Sequence, residues 1–163
     1  MQFTVNYANS KDEALAAAQV LQDVSQWLEN TQQGLWKPQQ FSSDWALRHL
    51  EKHELVILKV GDKVAATMLL LLEDADFWED YPSSKAVFVH KLAVARAFAG
   101  QGLARALLEF AALEARRLGR AWVRLDSAKR QVHWCLYTSA GFEHLDSKRV
   151  FDVDVWRFQR PVV

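Results

Sequence analysis

The sequence predicts a mixed α/β (α+β) domain, a sheet accompanied by helices, and three observations predict it. Segments with apolar residues at helical spacing alternate with short apolar runs that read as strands. Glycine, proline and polar clusters fall between these segments, where turns belong. A length of 163 residues, of which 50% are hydrophobic, is enough to cover one core, so a single domain over residues 1–163 is expected.

The elements follow in order. Gln2 to Asn6 alternates and reads as a strand. Ser10-Lys11-Asp12-Glu13 reads as a capping box, and Leu15, Ala18, Leu21, Val24 and Leu28 carry a helix to about Glu29. Gln32 to Gln40, with Gly34 and Pro38, is a loop, and a shorter helix spans Ser43 to Lys52. Glu54 to Val60 and Lys63 to Leu72 are strands joined by a turn at Gly61-Asp62. EDADFWEDYPSSK, from Glu73 to Lys85, is an acidic and aromatic loop.

Val87 to Val94 is apolar except at His90 and Lys91, as a central strand would be. A helix runs from Gly102 to Leu118, with Arg116 and Arg117 suited to its C-terminal dipole and Gly119 to its cap. Ala121 to Asp126 is a strand, and Arg130 to Ala140 is a helix stopped by Gly141. Phe142 to His144 and Val150 to Phe158 read as a closing antiparallel pair. The total is seven strands and four helices, with no internal repeat.

Composition narrows the function. The formal net charge is +0, which argues against a nucleic-acid partner held by bulk positive charge. One cysteine, Cys135, leaves no internal disulfide and fits a reducing compartment. MQFTVNYANSKDEA lacks a basic segment followed by an apolar one, so no secretory signal is read. The most apolar run, Val64 to Leu72, is far shorter than the ~20 residues of a membrane helix. A cytoplasmic protein with no membrane partner is expected.

The stretch FVHKLAVARAFAGQGLARALLEFA, Phe88 to Ala111, carries the first chemical signal: a glycine-rich turn entering a helix. A dinucleotide fingerprint needs a third glycine where Arg105 stands, although Asp126 sits at about the right distance for a ribose acid. A nucleotide P-loop needs Gly-Lys-Ser/Thr, and the helix opens Gly102-Leu103-Ala104-Arg105. What remains is a helix N-terminus whose free N–H groups, from about Gly100 to Ala104, favour an anion without metal. The small residues Ala99, Gly100, Gly102 and Ala104 let a phosphate approach the backbone. Such a site suits a carrier like coenzyme A, whose chemistry lies at a distant thioester.

These residues resemble the GNAT acyltransferases, which acetylate amines from acetyl-CoA. The family's phosphate motif, Gln/Arg-x-x-Gly-x-Gly/Ala, is matched by Ala99-Gly100-Gln101-Gly102-Leu103-Ala104 except at its first position. Arg96 or Arg105 is placed to compensate for Ala99. Leu92-Ala93-Val94 matches the strand that pairs with the pantetheine arm, and Leu136-Tyr137-Thr138-Ser139-Ala140-Gly141-Phe142 matches the family's Leu-Tyr-x-x-x-Gly-Phe. Arg130 stands where the family often has an asparagine that holds pantetheine. The resemblance is densest from Val87 to Phe142. It implies the GNAT acyl-CoA N-acyltransferase fold, a mixed sheet of six to seven strands with about four helices. It also implies an acetyl-CoA cosubstrate, no metal, and a small-molecule or peptide amine as acceptor. A homodimer is left open.

Direct transfer requires a base for the ammonium, a donor to the oxyanion and an acid for the thiolate. The resemblance places Tyr137 near the sulfur as acid; the competing reading is a half-buried helix aromatic. His90 is the candidate base, its ordinary pKa of ~6.5 suiting proton removal near neutrality. The competing reading is a core histidine bonded to a backbone carbonyl. Strand alternation puts His90 on the face of Phe88, Leu92 and Val94 unless a bulge intervenes. From the resemblance, the N–H of Leu92 or Val94 is the oxyanion donor.

Cys135 has no recognisable His/Asp partners and reads as a buried, inert thiol. His133 and His144 have no companions at metal-ligand spacing. Glu73, Asp74, Asp76, Glu79 and Asp80 surround Phe77, Trp78 and Tyr81, a combination able to attract and stack a cationic amine. A solvated loop with Trp78 in the core explains them as well. Trp27 and Trp36 flank the first inter-helix loop, a common acceptor wall in the family, and packing explains them equally. Other readings stay open: a non-catalytic acyl-CoA-binding module, kept alive by Ala99 and Arg130, an acyltransferase using another acyl-CoA, and a doubly wound nucleotide-binding domain.

Overall fold

In the computed structural model, which describes residues 1–162, elements appear in the order read from the sequence. They are β1 (Thr4–Tyr7), α1 (Lys11–Asn30), α2 (Ser43–Glu51), β2 (Leu55–Val60), β3 (Lys63–Leu71) and β4 (Ala86–Val94). Then come α3 (Leu103–Arg117), β5 (Trp122–Ala128), α4 (Gln131–Ser139), β6 (Glu143–Val150) and β7 (Val153–Pro161). The strands form a seven-stranded mixed sheet in the order β1-β2-β3-β4-β5-β7-β6. The chain packs as two compact units, Met1–Leu69 with Lys91–Leu107, and Leu70–His90 with the chain from Leu108 on. Among the described residues, no helix is long and apolar enough to cross a membrane.

In the first unit, Ser10 caps α1 by accepting the Glu13 N–H at 3.1 Å, while the Glu13 carboxylate accepts the Asn9 N–H at 3.0 Å. Two otherwise orphaned donors are thereby satisfied. The helix buries Ala14, Ala17, Ala18, Leu21 and Val24, a stripe at helical spacing whose small members allow close approach. It packs on α2 and β2. Four consecutive buried residues, Leu55 to Leu58, mark β2 as covered on both faces. Antiparallel pairing of β2 with β3 closes over the turn at Gly61, whose φ of 60° suits glycine.

In the second unit, β4 runs parallel to β5, while β5 pairs with β7, and β7 with β6, antiparallel. Here the structure departs from the expected hairpin. β6 continues through Val150, and the turn is Phe151-Asp152, both at positive φ (50° and 63°). That is the two-residue turn whose twist matches its strands. Asp146 and Ser147 fall between the two expected strands, yet both are held in the ladder, Asp146 opposite Arg157 and Ser147 opposite Trp156. No glycine announces the true turn, so the sequence placed it too early.

Trp78, Ala86 and Phe88 form this unit's apolar cluster, with Leu71, Phe77, Tyr81, Trp122 and Leu145 against it. Beside it lies a buried charge. The Arg157 side chain is 3% exposed and donates to Asp146 (2.7 and 2.8 Å), Asp80 (2.8 and 3.0 Å) and the Phe77 carbonyl (3.0 Å). All five guanidinium donors are thereby matched, which a buried arginine requires. The Arg157 guanidinium in turn holds the Asp80 and Asp146 carboxyls below the usual carboxylate range.

Replacing Arg157 with methionine is expected to cost about 3 kcal/mol of stability at neutral pH, the low end for a broken buried pair because water screens the half-exposed aspartates. Both carboxyls are depressed in the folded state, so their stabilisation is full above the ordinary carboxyl value of ~3.9 and is lost as the pH falls below it. Urea unfolding at pH 7 and pH 3 should show the gap between wild type and Arg157→Met narrowing, not vanishing, at the lower pH, because the folded carboxyls titrate well below ~3.9.

Candidate active site

Parallel strands bring distant residues level. β4 and β5 pair from Ala86 opposite Trp122 to Val89 opposite Leu125. The next residue on each strand is His90 and Asp126, and their side chains lie side by side, His90 Nδ1 3.9 Å from Asp126 Oδ1. The other ring nitrogen, Nε2, is 2.7 Å from Asp74 Oδ2. All three side chains are largely buried, at 18%, 14% and 5% exposure for His90, Asp126 and Asp74. His90 is therefore bonded to a carboxylate, not to the backbone carbonyl that a core histidine would use.

Asp74 is positioned by the turn it begins. Its Oδ1 accepts the Phe77 N–H at 3.0 Å, leaving Oδ2 for His90. Burial opposes its ionisation, but the His90 hydrogen bond and charge, with N–H donors from Phe77 and Asp76, outweigh it and hold its carboxyl below the ordinary value. The Phe77 ring leans on the imidazole, with centroids 6.1 Å apart.

Tyr137 comes from α4, where it is buried at 8% exposure rather than half-buried. Its ring packs against Phe158 at 5.5 Å and Phe142 at 6.0 Å, so the Gly141-Phe142 ending of the motif forms part of its seat. Burial pushes the phenol pKa up, and the charge of Asp126 adds to the rise. The second unit thus gathers Asp74, His90, Asp126 and Tyr137. Sequence reasoning singled out two of them by role. It left Asp74 among the loop acids and met Asp126 only as a ribose acid. No spacing signal joins residues brought together by a parallel pairing and a loop; the one available hint was that β4 and β5 would be neighbours.

In the first unit, β4 passes through Lys91 at φ 54°, so the simple alternation expected from Phe88 to Val94 does not carry through this residue. A non-glycine residue in that region costs ~1 kcal/mol or more. The Lys91 ammonium sits 5.2 Å over the Trp36 ring, a cation–π contact that helps offset it. Leu92 and Val94 are half-buried and Ala93 buried. Next come Gly100 and Gly102, at φ 78° and 79°, with nothing within 4 Å of where a Cβ would stand at either. The exposed turn Ala99 to Gly102 thus leaves open space before α3, whose first turn closes with the Ala106 N–H on the Gly102 carbonyl. Leu103 anchors the helix in the core, Ala104 is half-buried and Arg105 exposed. Arg96 stacks on Trp27, its guanidinium carbon 3.7 Å from the ring centroid.

Other expected residues fall elsewhere. Trp78 is 1% exposed and belongs to the core, with Arg157 4.7 Å from its ring centroid, so it offers no face for a ligand to stack on. Asp80 is taken up by Arg157, and Glu79 and Asp80 by Lys148, so these loop acids are neutralised within the protein. Trp36 is covered by Lys91 and meets Phe41 edge-on. Arg130, half-buried, stands at the start of α4, where its carbonyl accepts the His133 and Trp134 N–H groups. Cys135 is exposed, which corrects the expected burial: its position on α4 faces solvent. His133 sits 3.3 Å from the Ala128 carbonyl, while His144 packs among Trp134, Trp156 and Phe158. Among the described residues, Asp74, His90 and Asp126 have ligand atoms within 4.8 Å of one another.

Comparison with known proteins agrees with this architecture. The family model described as an acetyltransferase (GNAT) domain matches residues 51–144. The uncharacterized N-acetyltransferase YesJ of Bacillus subtilis is 30% identical over an alignment of 101 residues; the match covers 59% of this chain and 56% of that relative's length. A GNAT-family acetyltransferase of Listeria monocytogenes has the same fold at 22% identity, with a TM-score of 0.80 over 98% of this chain and 94% of that one. An acetyltransferase of Salmonella typhimurium, solved with its cofactor acetyl-CoA, does so at 18% identity, with a TM-score of 0.75 over 100% of this chain and 95% of that one. The ribosomal-protein-S18-alanine N-acetyltransferase of Escherichia coli follows at 20% identity, with a TM-score of 0.71 over 99% and 94%.

The elevated Tyr137 pKa has a direct readout. Tyrosinate absorbance, followed as the pH is raised, should show no difference between wild type and Tyr137→Phe until alkaline unfolding begins. A difference appearing in the folded protein near pH ~10, the ordinary tyrosine value, would contradict the burial argument.

Proposed function

Because the chain belongs to the GNAT acetyltransferase family, we propose that it transfers the acetyl group of acetyl-CoA to a primary amine of a small molecule or peptide. The observation that carries this reading is a histidine held between two carboxylates on the cofactor strand: His90 Nε2 lies 2.7 Å from Asp74 and Nδ1 3.9 Å from Asp126. Direct transfer requires a base and an acid, and His90 and Tyr137 lie in the same compact unit. The family's solved members supply the substrate classes. One was solved with acetyl-CoA, and another is named for acetylating a ribosomal protein's alanine.

The turn at Gly100 and Gly102 fits a pyrophosphate. Two left-handed glycines, open space where a Cβ would stand at each and the N-terminus of a 15-residue helix together make an anion cradle. Gln101, Leu103, Ala104 and Arg105 complete the turn, and Arg96, steadied on Trp27, supplies a cation in place of the side chain missing at Ala99. Leu92 to Val94 would pair with the pantetheine arm, and an N–H of Leu92 or Val94 would donate to the oxyanion. Arg130 takes the asparagine's place in holding pantetheine.

His90 takes one proton from the acceptor ammonium. The freed electron pair forms the C–N bond to the thioester carbon, the C–S bond breaks, and its electrons leave on sulfur. Tyr137 donates its proton to that sulfur and is reprotonated from the nitrogen that has become an amide. A phenol raised above its ordinary value stays protonated at working pH. It is also a reluctant acid, so its proton moves as charge builds on sulfur rather than before.

The test is thiol release from acetyl-CoA with a panel of amines and amino-terminal peptides. Release that depends on one class of amine supports the reading; tight binding with no release by any amine would favour an acyl-CoA-binding module. Gly102→Glu should abolish coenzyme A binding measured by calorimetry, since it brings bulk and negative charge into the cradle at a backbone position suited to glycine. Tyr137→Phe should lower kcat by about 10²-fold or more while leaving the acetyl-CoA Kd nearly unchanged.

A further inference from the structure

Resting on the acetyl-transfer reading above, we propose that Asp74 is a positioning residue that sets which nitrogen of His90 is the base. An ionised carboxylate can only accept hydrogen bonds, so the 2.7 Å contact between Asp74 Oδ2 and His90 Nε2 places the ring proton on Nε2. In the neutral imidazole the lone pair then belongs to Nδ1. Nδ1 faces Asp126 Oδ1 at 3.9 Å, too far for a hydrogen bond, so its lone pair is not committed to that carboxylate. The groups around the ring are thus divided by role. Asp74, from the loop after β3, orients it; Asp126, from β5, faces Nδ1; and Phe77 packs on it.

The arrangement is built rather than incidental. Asp74 is 5% exposed, and its two oxygens have separate tasks, Oδ1 closing its own turn on the Phe77 N–H and Oδ2 meeting the histidine. A carboxylate held only for loop structure would need the first contact alone.

Asparagine at 74 separates the two tasks. Its carbonyl oxygen can still accept from Phe77, so the turn survives, but its amide now offers a donor to Nε2 and drives the ring proton to Nδ1. The base nitrogen is then lost with little change in shape. Nitrogen-15 spectra of histidine-labelled protein should show His90 protonated on Nε2 in the wild type and on Nδ1 in Asp74→Asn. For an amine that the wild type acetylates, kcat should fall by about 10²-fold or more in Asp74→Asn with the acetyl-CoA Kd unchanged, and Asp74→Glu should recover part of it. A wild-type ring protonated on Nδ1, an Asp74→Asn ring that keeps its Nε2 proton, or a switched ring with undiminished kcat would each overturn the proposal. The wild-type spectrum needs neither an active enzyme nor a folded variant. Failure to find any acetylated amine would therefore count against the transfer reading and leave the tautomer assignment to be judged by that spectrum.

Discussion

Four rungs of parallel pairing, from Ala86 against Trp122 to Val89 against Leu125, decide what the polar cluster of the second unit can be. Parallel strands need a long crossover between them, here one that includes α3, so residues 36 apart in sequence finish level with one another. His90 and Asp126 are the first pair beyond the last rung. A one-residue slip of either strand would turn one of these side chains to the opposite face and the cluster would not exist. That register is held by apolar burial on both strands: Val87, Phe88, Val123 and Leu125 are at most 1% exposed. Polar chemistry at the end of the strands therefore depends on hydrophobic packing along them.

The loop between β3 and β4 shows how charge is distributed. It is rich in acids, yet these differ in their surroundings. Asp80 and Glu79 meet Arg157 and Lys148, and that pairing closes the loop onto β6 and β7. Asp74 meets His90 and Phe77. Trp78, between them in sequence, is in the core and fixes the loop's path. A segment that reads as a solvated acidic surface is thus an ordered strap, and an ordered strap can hold a carboxylate against an imidazole at 2.7 Å where a mobile one could not.

The anion cradle and the catalytic cluster differ in how legible they are. The cradle is local: Gly100, Gly102 and the helix after them are contiguous, and left-handed glycines before an amphipathic helix can be read from spacing alone. The Leu-Tyr-x-x-x-Gly-Phe segment is nearly as local, because Tyr137 rests on Phe142, five residues on. His90 was visible as a polar residue in an apolar strand, but its partners were not. Asp74 and Asp126 were both read, each for a different task, since no short-range pattern ties them to His90. The irregularity at Lys91 escaped for a similar reason: a lysine carries no sign that its φ will be positive, and the Trp36 ring that helps hold it is more than fifty residues away. Phe151-Asp152 likewise turns without glycine because the β6–β7 ladder imposes the turn.

The sequence by itself determined the order of the elements, the helix caps and the glycine cradle before α3, because each is set by residues within a few positions of one another. Tertiary structure alone decided that Trp78 is core and Cys135 exposed, that Asp80 serves Arg157 while Asp74 serves His90, that Asp126 lies beside His90, and that Tyr137 is buried against Phe158. Those outcomes depend on strand register and loop path. Both are set by the summed burial of many side chains far apart in the chain, and no short stretch of sequence contains that sum.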